Sequence, residues 1–446
     1  MFLKQIFDLH FILIMQLFRK GNYKLSRNSL NKIENLNKKS RFKFHTFTSL
    51  QYHDFRFLIT STFFTSAGNW IQQVTLGWLA YEYTNSAFLT GAVTGIRALP
   101  FLFMGPIAGV ITDRMDRKRL LIAVHLLLSL LGLSFALLIY SGNLQTWHIF
   151  VFSMLSGAGW ASGNPVRQAL VPNLVPQKDL MNAIALNSAA FNITRMLGPA
   201  VGGILIVAVG PATNFFIQAI SFFLVTLIVI PIKIPDNNII ELSNHSFAED
   251  LIQGIRYVVK EKTTLALVLL ALVPSIFMMP FTQSLMPVFS KDILEVDANG
   301  LGYILSSMGL GAFIGTLVLA SLGNFTHKGK MLFVIGILAG LSLIVFSQTK
   351  LLIFSMIVII FQGAFQMIYH STNNTIIQTI TPNSMRGRVM SIYMLDHGLM
   401  PVGALIAGSI AQFYGADIAI LIGGTITFTL FIVGIFIFKP LWDFKS

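Results

Sequence analysis

The residues best suited to chemistry are four ionisable side chains inside long apolar stretches, namely Arg97, Arg195, Asp396 and His397. Ionisable groups are costly to bury in apolar surroundings, so their presence there points to a function. A carboxylate that loses a proton in one state and regains it in another can couple proton movement to a conformational change, and a nearby guanidinium stabilises its charged form. We therefore predict reversible protonation at Asp396, with His397, Arg97 and Arg195 as further candidates. A permanent structural pair of Arg97 and Asp396 would leave the same sequence.

Catalysis of other kinds is not indicated. The chain has no cysteine, which excludes thiol nucleophiles, disulfide bonds and thiolate metal sites. It contains neither a Walker phosphate-binding loop nor an HExxH or similar metal-binding motif. We therefore expect no enzymatic activity, no cofactor and no bound metal.

The composition is typical of a protein that crosses a lipid bilayer many times. Of the 446 residues, 54% are hydrophobic and only 11% are charged, and 39 are Phe. A helix needs about 20 apolar residues to span a bilayer. The apolar stretches predict an all-α membrane protein with twelve transmembrane helices, near 56–82, 87–112, 119–140, 147–170, 182–208, 213–232, 264–289, 300–323, 331–348, 351–374, 386–413 and 417–438.

The distribution of positive charge predicts the orientation of these spans. The segment Gly109–Arg119 carries six charged residues within seven positions, which places it in a loop outside the hydrocarbon. If the amino terminus is cytoplasmic, three of the 31 Lys and Arg lie within spans, two (Lys291 and Lys350) lie outside the cell and the remaining 26 are cytoplasmic. We therefore expect a multi-pass protein with both termini in the cytoplasm. The net charge of +13 follows from this bias, so nucleic acid is not an expected partner.

Two polar segments divide the chain. Residues 1–52 form a basic cytoplasmic extension, with ten Lys and Arg in the first fifty positions. Its apolar patch, Phe7–Phe18, is too short to span, and no small-residue cleavage site follows to support a signal peptide. Residues 233–262 form a cytoplasmic linker. The predicted parts are therefore six-helix bundles at 53–232 and 263–440, with a tail at 441–446.

A weak internal repeat supports two related bundles. Four residues at the end of the fourth predicted span recur at the end of the tenth with one constant offset of 210: Asn164, Gln168, Pro172 and Asn173 match Asn374, Gln378, Pro382 and Asn383. Duplicated halves of this kind are common in transporter folds. The repeat predicts pseudo-symmetric bundles related by an axis along the membrane normal.

Residues 52–440 resemble the major facilitator superfamily of secondary transporters, within the branch of bacterial macrolide efflux proteins and the enterobactin exporter. The loop between the second and third spans matches the signature of that superfamily through Gly109, Asp113, Arg114, Arg117 and Lys118, although Asp116 stands where many members carry Gly. A second matching segment in the fifth span, similar to an antiporter motif, contains Gly198, Pro199, Gly202 and Gly203. Small residues there would let a neighbouring helix approach closely.

The resemblance implies a gating role for the charged loop. A carboxylate at Asp113 can interact with the positive amino-terminal end of another helix. In the family that partner is the start of the eleventh span, here near Arg386 and Arg388. Such a contact exists only while the cytoplasmic side is closed, so it would bias the equilibrium between two states. The alternative is that the loop only anchors the topology.

The overall hypothesis is a monomeric secondary transporter of a bacterial inner membrane that exports a partly apolar small molecule, such as a siderophore, a macrolide or another drug, in exchange for protons. The substrate would bind between the bundles, near the bilayer midplane. Besides Arg97 and Arg195, the candidates for lining that site are Asn69, Gln72, Gln73, Gln283, Gln362 and Gln366. A lysophospholipid flippase or an importer would have the same architecture. A membrane sensor or assembly protein that transports nothing is the alternative of another class.

Overall fold

The computed structural model describes residues 45–103, 116–232, 247–323 and 325–444. Within these ranges the chain is helical and contains no β-strand. Residues Met1–Thr48 group separately, and Ser49–Ser446 form one compact unit.

Six long helices make up the described part before the linker. They are α1 (His53–Thr84), α2 (Ala87–Ala98, with its apolar helix continuing to Phe103), α3 (Arg117–Tyr140), α4 (Thr146–Leu170), α5 (Leu180–Val209) and α6 (Pro211–Val229). Helix α1 packs against α5 and α6, and α3 packs against α4 and α6.

Eleven further helices follow in the described ranges. They are α7 (Phe247–Lys260), α8 (Lys262–Val273), α9 (Met279–Gln283), α10 (Met286–Asp292), α11 (Ala298–Leu322), α12 (Lys328–Ser347), α13 (Leu352–Ile380), α14 (Asn383–Met394), α15 (Met400–Tyr414), α16 (Ala416–Ile437) and α17 (Lys439–Trp442). Helix α11 packs against α13, and α12 packs against α13 and α16.

Among the described residues, eight helical segments are long and apolar enough to cross a membrane, and two shorter apolar helices, Ala87–Phe103 and Met400–Tyr414, accompany them. Helices α1 and α4 are as long but carry more polar residues. The expectation of an all-α, membrane-spanning protein is confirmed.

Two of the expected spans are broken. The seventh consists of α8, α9 and α10, and a π-helical turn at Pro274–Met278 separates the first two. Proline removes a backbone donor and clashes with the preceding turn, so the prolines at 274, 280 and 287 explain this irregularity. The eleventh consists of α14 and α15, joined by a 3₁₀ turn at Leu395–Leu399 that was not predicted.

Polar groups inside the helix packing find partners on neighbouring helices. Gln218 Nε2 on α6 donates to Gln72 Oε1 on α1 at 2.9 Å. Asn214 Nδ2 donates to Thr75 Oγ1 at 2.7 Å and to the carbonyl oxygen of Gly202 at 2.8 Å. Such contacts replace hydrogen bonds that lipid cannot provide, so they fix α6 against α1 and α5.

Candidate functional site

A close crossing of α2 and α15 joins the first six helices to the later ones. A Cβ atom added at Gly91 would lie 2.5 Å from the carbonyl oxygen of Ala404, and one added at Gly95 would lie 3.2 Å from Cα of Pro401. Only glycine allows the two backbones to approach this closely. The second and eleventh apolar segments are therefore neighbours.

A second crossing joins α5 to α11. A Cβ at Gly203 would overlap the carbonyl of Ala298, and one at Gly302 would lie 2.6 Å from the carbonyl oxygen of Pro199. On another side of α5, Gly198 and Gly202 face α1, where added Cβ atoms would lie 2.7 Å from Trp70 Cβ and 2.9 Å from Val74 Cγ1. The four residues of this motif therefore hold α5 tightly between α1 and α11.

Polar contacts accompany these crossings near the ends of α1 and α15. The hydroxyl of Tyr81 donates to the carboxylate of Asp292, and Lys291 Nζ lies 5.5 Å from the centroid of the Tyr81 ring. Ser86 Oγ donates to Gln412 Oε1 at 2.8 Å. These bonds connect the Asn85 end of the first six helices to the later helices.

A cavity lies among α1, α5, α9 and α11. We call it the Arg195 cavity, and its lining consists of Trp70, Gln73, Val74, Arg195, Pro199, Gln283, Leu305, Met308 and Gly309. Three of the residues proposed from the sequence, Gln73, Arg195 and Gln283, thus share one cavity. Trp70, Leu305 and Met308 were not among those candidates.

The guanidinium of Arg195 lies over the ring of Trp70, 5.7 Å from its centroid. A cation over an indole face is stabilised by the ring quadrupole but keeps its N–H groups free at the edge. Trp70 Nε1 is buried and has no hydrogen-bond partner among the described residues. The cavity therefore presents hydrogen-bond donors that the protein itself leaves unused.

Arg97 lies on α2 beside this region. Its Nη2 donates to Asn69 Oδ1 at 2.7 Å, and Asn69 is buried. Within the described part of the chain, Arg97 forms no ion pair with Asp396 in this conformation. The side chains of Asn69 and Arg97 instead connect α1 to α2.

Asp396 lines a different cavity, which we call the Asp396 cavity. Its other lining residues come from the later helices: Ala271, Pro274, Ser275, Met279, Gln366, Tyr369, His370 and Tyr393. The Tyr393 hydroxyl and His370 Nδ1 are 2.9 Å apart. Asp396 is buried, and neither side-chain atom of the Gln366 amide has a hydrogen-bond partner among the described residues.

The Asp396 cavity brings together residues to which the sequence assigned different roles. Gln366 was expected to line the substrate site, whereas His370 was not among the candidates. The side chain of His397 lies outside the described residues. A signal for His370 exists in the sequence, because it is an ionisable residue inside a predicted span, but its position relative to Asp396 depends on how α13 meets α14.

Two of the glutamines proposed as lining residues contact neighbouring helices. Gln72 is buried and accepts the hydrogen bond from Gln218. Gln362 is fully buried on α13, and its Oε1 accepts from the Ser342 hydroxyl on α12. Neither residue lines the Arg195 or the Asp396 cavity.

The proposed gate is described only in part. Gly109, Asp113 and Arg114 lie outside the described residues. Arg117 and Lys118 begin α3, where Asp116 Oδ1 accepts from the Lys118 backbone N–H at 2.8 Å and caps the helix.

On the partner side of the proposed gate, both arginines lie in the first turns of α14. Arg386 Nε donates to the carbonyl oxygen of Gln378 at 3.1 Å, near the end of α13. Arg388 lies two residues further along, with Nη1 3.5 Å from the sulfur of Met385. These contacts place both cations at the start of the eleventh segment, and the gating role stays a prediction.

The sequence of this chain matches the model of a family described as "Transmembrane secretion effector" over residues 44–445. It is 27% identical over 394 residues to the staphyloferrin A transporter of Staphylococcus aureus (strain NCTC 8325 / PS 47), and the match covers 86% of this chain and 96% of that protein. It is 23% identical over 368 residues to macrolide efflux protein A of Streptococcus pyogenes, and the match covers 81% of this chain and 90% of that protein.

Among solved structures, the fold is similar to that of the peptide transporter POT in complex with sulfate. The TM-score is 0.70 at 14% sequence identity, and the match covers 88% of this chain and 96% of the transporter. At this identity the likeness concerns the fold alone.

Proposed function

Since the chain belongs to the transmembrane secretion effector family of the major facilitator superfamily, and is therefore a membrane transporter and not an enzyme, we propose that it exports a partly apolar small molecule from a bacterial cell in exchange for protons. The observation that carries this proposal is the Arg195 cavity. It lies between α1 and α5, which precede the linker, and α9 and α11, which follow it. The names of the relatives, which include a siderophore transporter and a macrolide efflux protein, support the cargo class.

We propose twelve membrane spans in two groups of six. Helices α1–α6 would form the first group, and α8–α16 would supply six more spans, with α8–α10 and α14–α15 each counting as one broken span. The eight apolar segments, the two shorter apolar helices and the long helices α1 and α4 together support this count of twelve. The crossings of α2 with α15 and of α5 with α11 support an interface between the groups. Both termini would then be cytoplasmic, in the inner membrane, and the protein would work as a monomer.

We assign this conformation to the state that is closed toward the outside. The contacts of Tyr81 with Asp292 and of Ser86 with Gln412 lie at the Asn85 end, which the positive charge distribution assigns to the external face. The cavity would then be reached from the cytoplasm. In the other state, the Asp113 loop would contact the start of α14 near Arg386 and Arg388 and close the cytoplasmic side.

Proton coupling is assigned to Asp396. Its burial beside Gln366, His370 and Tyr393 supports this role, because the surrounding polar groups can hold water or stabilise either protonation state. The Asp396 cavity is also separate from the Arg195 cavity, so the proton and the cargo can occupy different sites. Coupling then requires only that each site bias the same conformational equilibrium.

Deletion and complementation strains test the export proposal. Cells that lack the gene are compared with complemented cells for erythromycin tolerance and for metabolites secreted under iron limitation. Loss of tolerance or of a secreted metabolite, restored by complementation, is expected. Unchanged tolerance and an unchanged secreted profile would contradict export.

Proteoliposomes then test the coupling site, with the compound that the strains identify as cargo. An imposed pH gradient should drive uptake by the wild type and by Glu295→Gln, in which an exposed carboxylate is neutralised. Asp396→Asn should lose gradient-driven uptake but keep exchange of cargo at equal pH. Gradient-driven uptake by Asp396→Asn at the wild-type rate would overturn the assignment.

The same vesicles separate the alternatives of the same fold. A proton-coupled importer would instead accumulate cargo when the imposed pH gradient is reversed. A lysophospholipid flippase would move a fluorescent lysophospholipid between leaflets, with or without the small molecule.

A further inference from the structure

The Arg195 cavity holds a cation that has no counter-ion among the described residues. No carboxylate lines it, and Arg195 forms no ion pair with any described residue. The sequence explains why, since residues 57–81, 180–230, 264–291 and 298–322, which supply every wall of the cavity, contain no Asp or Glu. The described walls of this cavity therefore leave the charge of Arg195 for a bound anion to neutralise.

An unpaired arginine at such a position is costly, so its presence needs a reason. Packing does not require a charge there, because a Leu or Met would fill the same space without the desolvation penalty. The guanidinium face is occupied by Trp70 at 5.7 Å, which leaves the N–H edge for a ligand. A guanidinium edge matches the two oxygens of a carboxylate in geometry and in charge.

The remaining walls describe the rest of that molecule. Trp70 Nε1 is a buried donor without a partner among the described residues, and Gln73 and Gln283 add amide groups that can donate further hydrogen bonds. Leu305 and Met308 supply an apolar surface on α11. The cavity therefore fits an acceptor-rich anion with an apolar portion, and it disfavours a cationic amine, which Arg195 would repel.

We propose that the cargo is an organic anion whose carboxylate is bound by Arg195 and Trp70. This rests on the proposed export function, which makes the Arg195 cavity the cargo site. The anion proposal limits the expected cargo to carboxylate-bearing molecules and excludes cationic amphiphiles.

The test uses three probes that share one apolar fluorophore and differ in charge: dansyl-glutamate, dansylamide and dansylcadaverine. Binding to the full-length protein in nanodiscs is followed by energy transfer from tryptophan to the dansyl group. The wild type should bind the anionic probe at least about tenfold more tightly than the cationic one. Arg195→Gln should abolish that preference, and Arg195→Lys should retain part of it, because a lysine keeps the charge but loses the planar edge.

Arg167→Gln is the matched control. Arg167 is also a buried arginine against a tryptophan, 5.7 Å from the Trp160 ring, but it does not line the Arg195 cavity. It should leave the preference for the anion unchanged, and thermal unfolding of each variant verifies that it is folded. Equal binding of all three probes, tighter binding of the cation, binding of none, or an equal loss in Arg195→Gln and Arg167→Gln would overturn the proposal.

These outcomes do not depend on the export experiment. If deletion strains lose efflux of a neutral or cationic compound while the wild type shows no preference for the anion, the export function stands and the anion assignment fails. If anion binding is confirmed but no strain shows efflux, the export function fails instead.

Discussion

The hydrogen bond from Tyr81 to Asp292 allows the Asn85 end, which we propose to be closed and external, to be weakened by removal of a single hydroxyl group. Tyr81→Phe removes the hydroxyl but keeps the ring over which Lys291 lies. A hydrogen bond to a charged group contributes about 1.5 to 3 kcal/mol. Tyr81 is 6% exposed but Asp292 is exposed, so the lower value, about 1.5 kcal/mol, applies. Since about 1.4 kcal/mol corresponds to tenfold in an equilibrium constant, the population with this end open should rise about tenfold relative to the closed one.

The absence of cysteine makes this shift directly measurable, because labelling sites can be added without removing native ones. Spin labels at Tyr140→Cys and Tyr414→Cys, both exposed and at the ends of α3 and α15, report the separation of the two groups of helices. Double electron–electron resonance should show a larger long-distance fraction in Tyr81→Phe than in the unmodified background.

Tyr83→Phe serves as the control, because Tyr83 is 45% exposed and lies one position beyond Glu82 on the same helix. It should leave the distance distribution unchanged. If Tyr81→Phe also leaves it unchanged, or shortens the distances, the bond to Asp292 does not stabilise a closed end and the assignment of this conformation is refuted.

Three further substitutions test packing and local electrostatics. Gly311→Ala should destabilise the protein by about 1 to 3 kcal/mol, because the new Cβ would overlap the Ile360 carbonyl. Gly387→Ala has open space around the new Cβ, so it should stabilise α14 by about 0.5 to 1 kcal/mol. Thermal unfolding measures both changes. The hydroxyl of Tyr52 donates to Asp179 Oδ2 at 2.7 Å, and this hydrogen bond, with the carboxylate charge, raises the pKa of Tyr52 above its usual value of about 10. This hydrogen bond is complete below pH 10 and is lost as the pH rises through the raised pKa of Tyr52. The wild type should therefore lose stability relative to Tyr52→Phe in that pH range. Absorbance titration should show one fewer late-titrating tyrosine in the variant.

The features that the sequence predicts correctly depend on local chemistry. Pro274 and Pro280 break the seventh segment because their missing donors act within one helical turn, whatever the helix packs against. The close contact between α2 and α15 depends on the glycines at 91 and 95, whose missing side chains allow it. Composition alone was enough to indicate a membrane protein.

The linker contains a helix that was not predicted. Residues 233–262 were interpreted as a cytoplasmic linker because of their charge and polarity, and within them Phe247–Lys260 form α7, which packs against α14. A Cβ at Gly254 would lie 3.1 Å from the carbonyl oxygen of Arg388, so the two backbones are close. The apolar residues of α7 recur at helical spacing, as Ile252, Ile255 and Val259 show. The helical spacing of apolar residues was present in the sequence. The many charged residues of the segment conceal it when hydropathy is averaged over all thirty positions.

Helix α1 shows why the lining of a cavity could be predicted only in part. Gln72 and Gln73 are adjacent and chemically identical, yet Gln73 lines the Arg195 cavity while Gln72 bonds Gln218 on α6. Successive residues of a helix point about 100° apart, so one of the two must face away from any given surface. Which one faces the cavity depends on where α5 and α6 lie, and this is set by glycines at 198 and 202 and by Asn214, far along the chain. The polar residues of a span therefore identify candidates, and only the packing of its neighbours separates those that bind a ligand from those that hold the helices together.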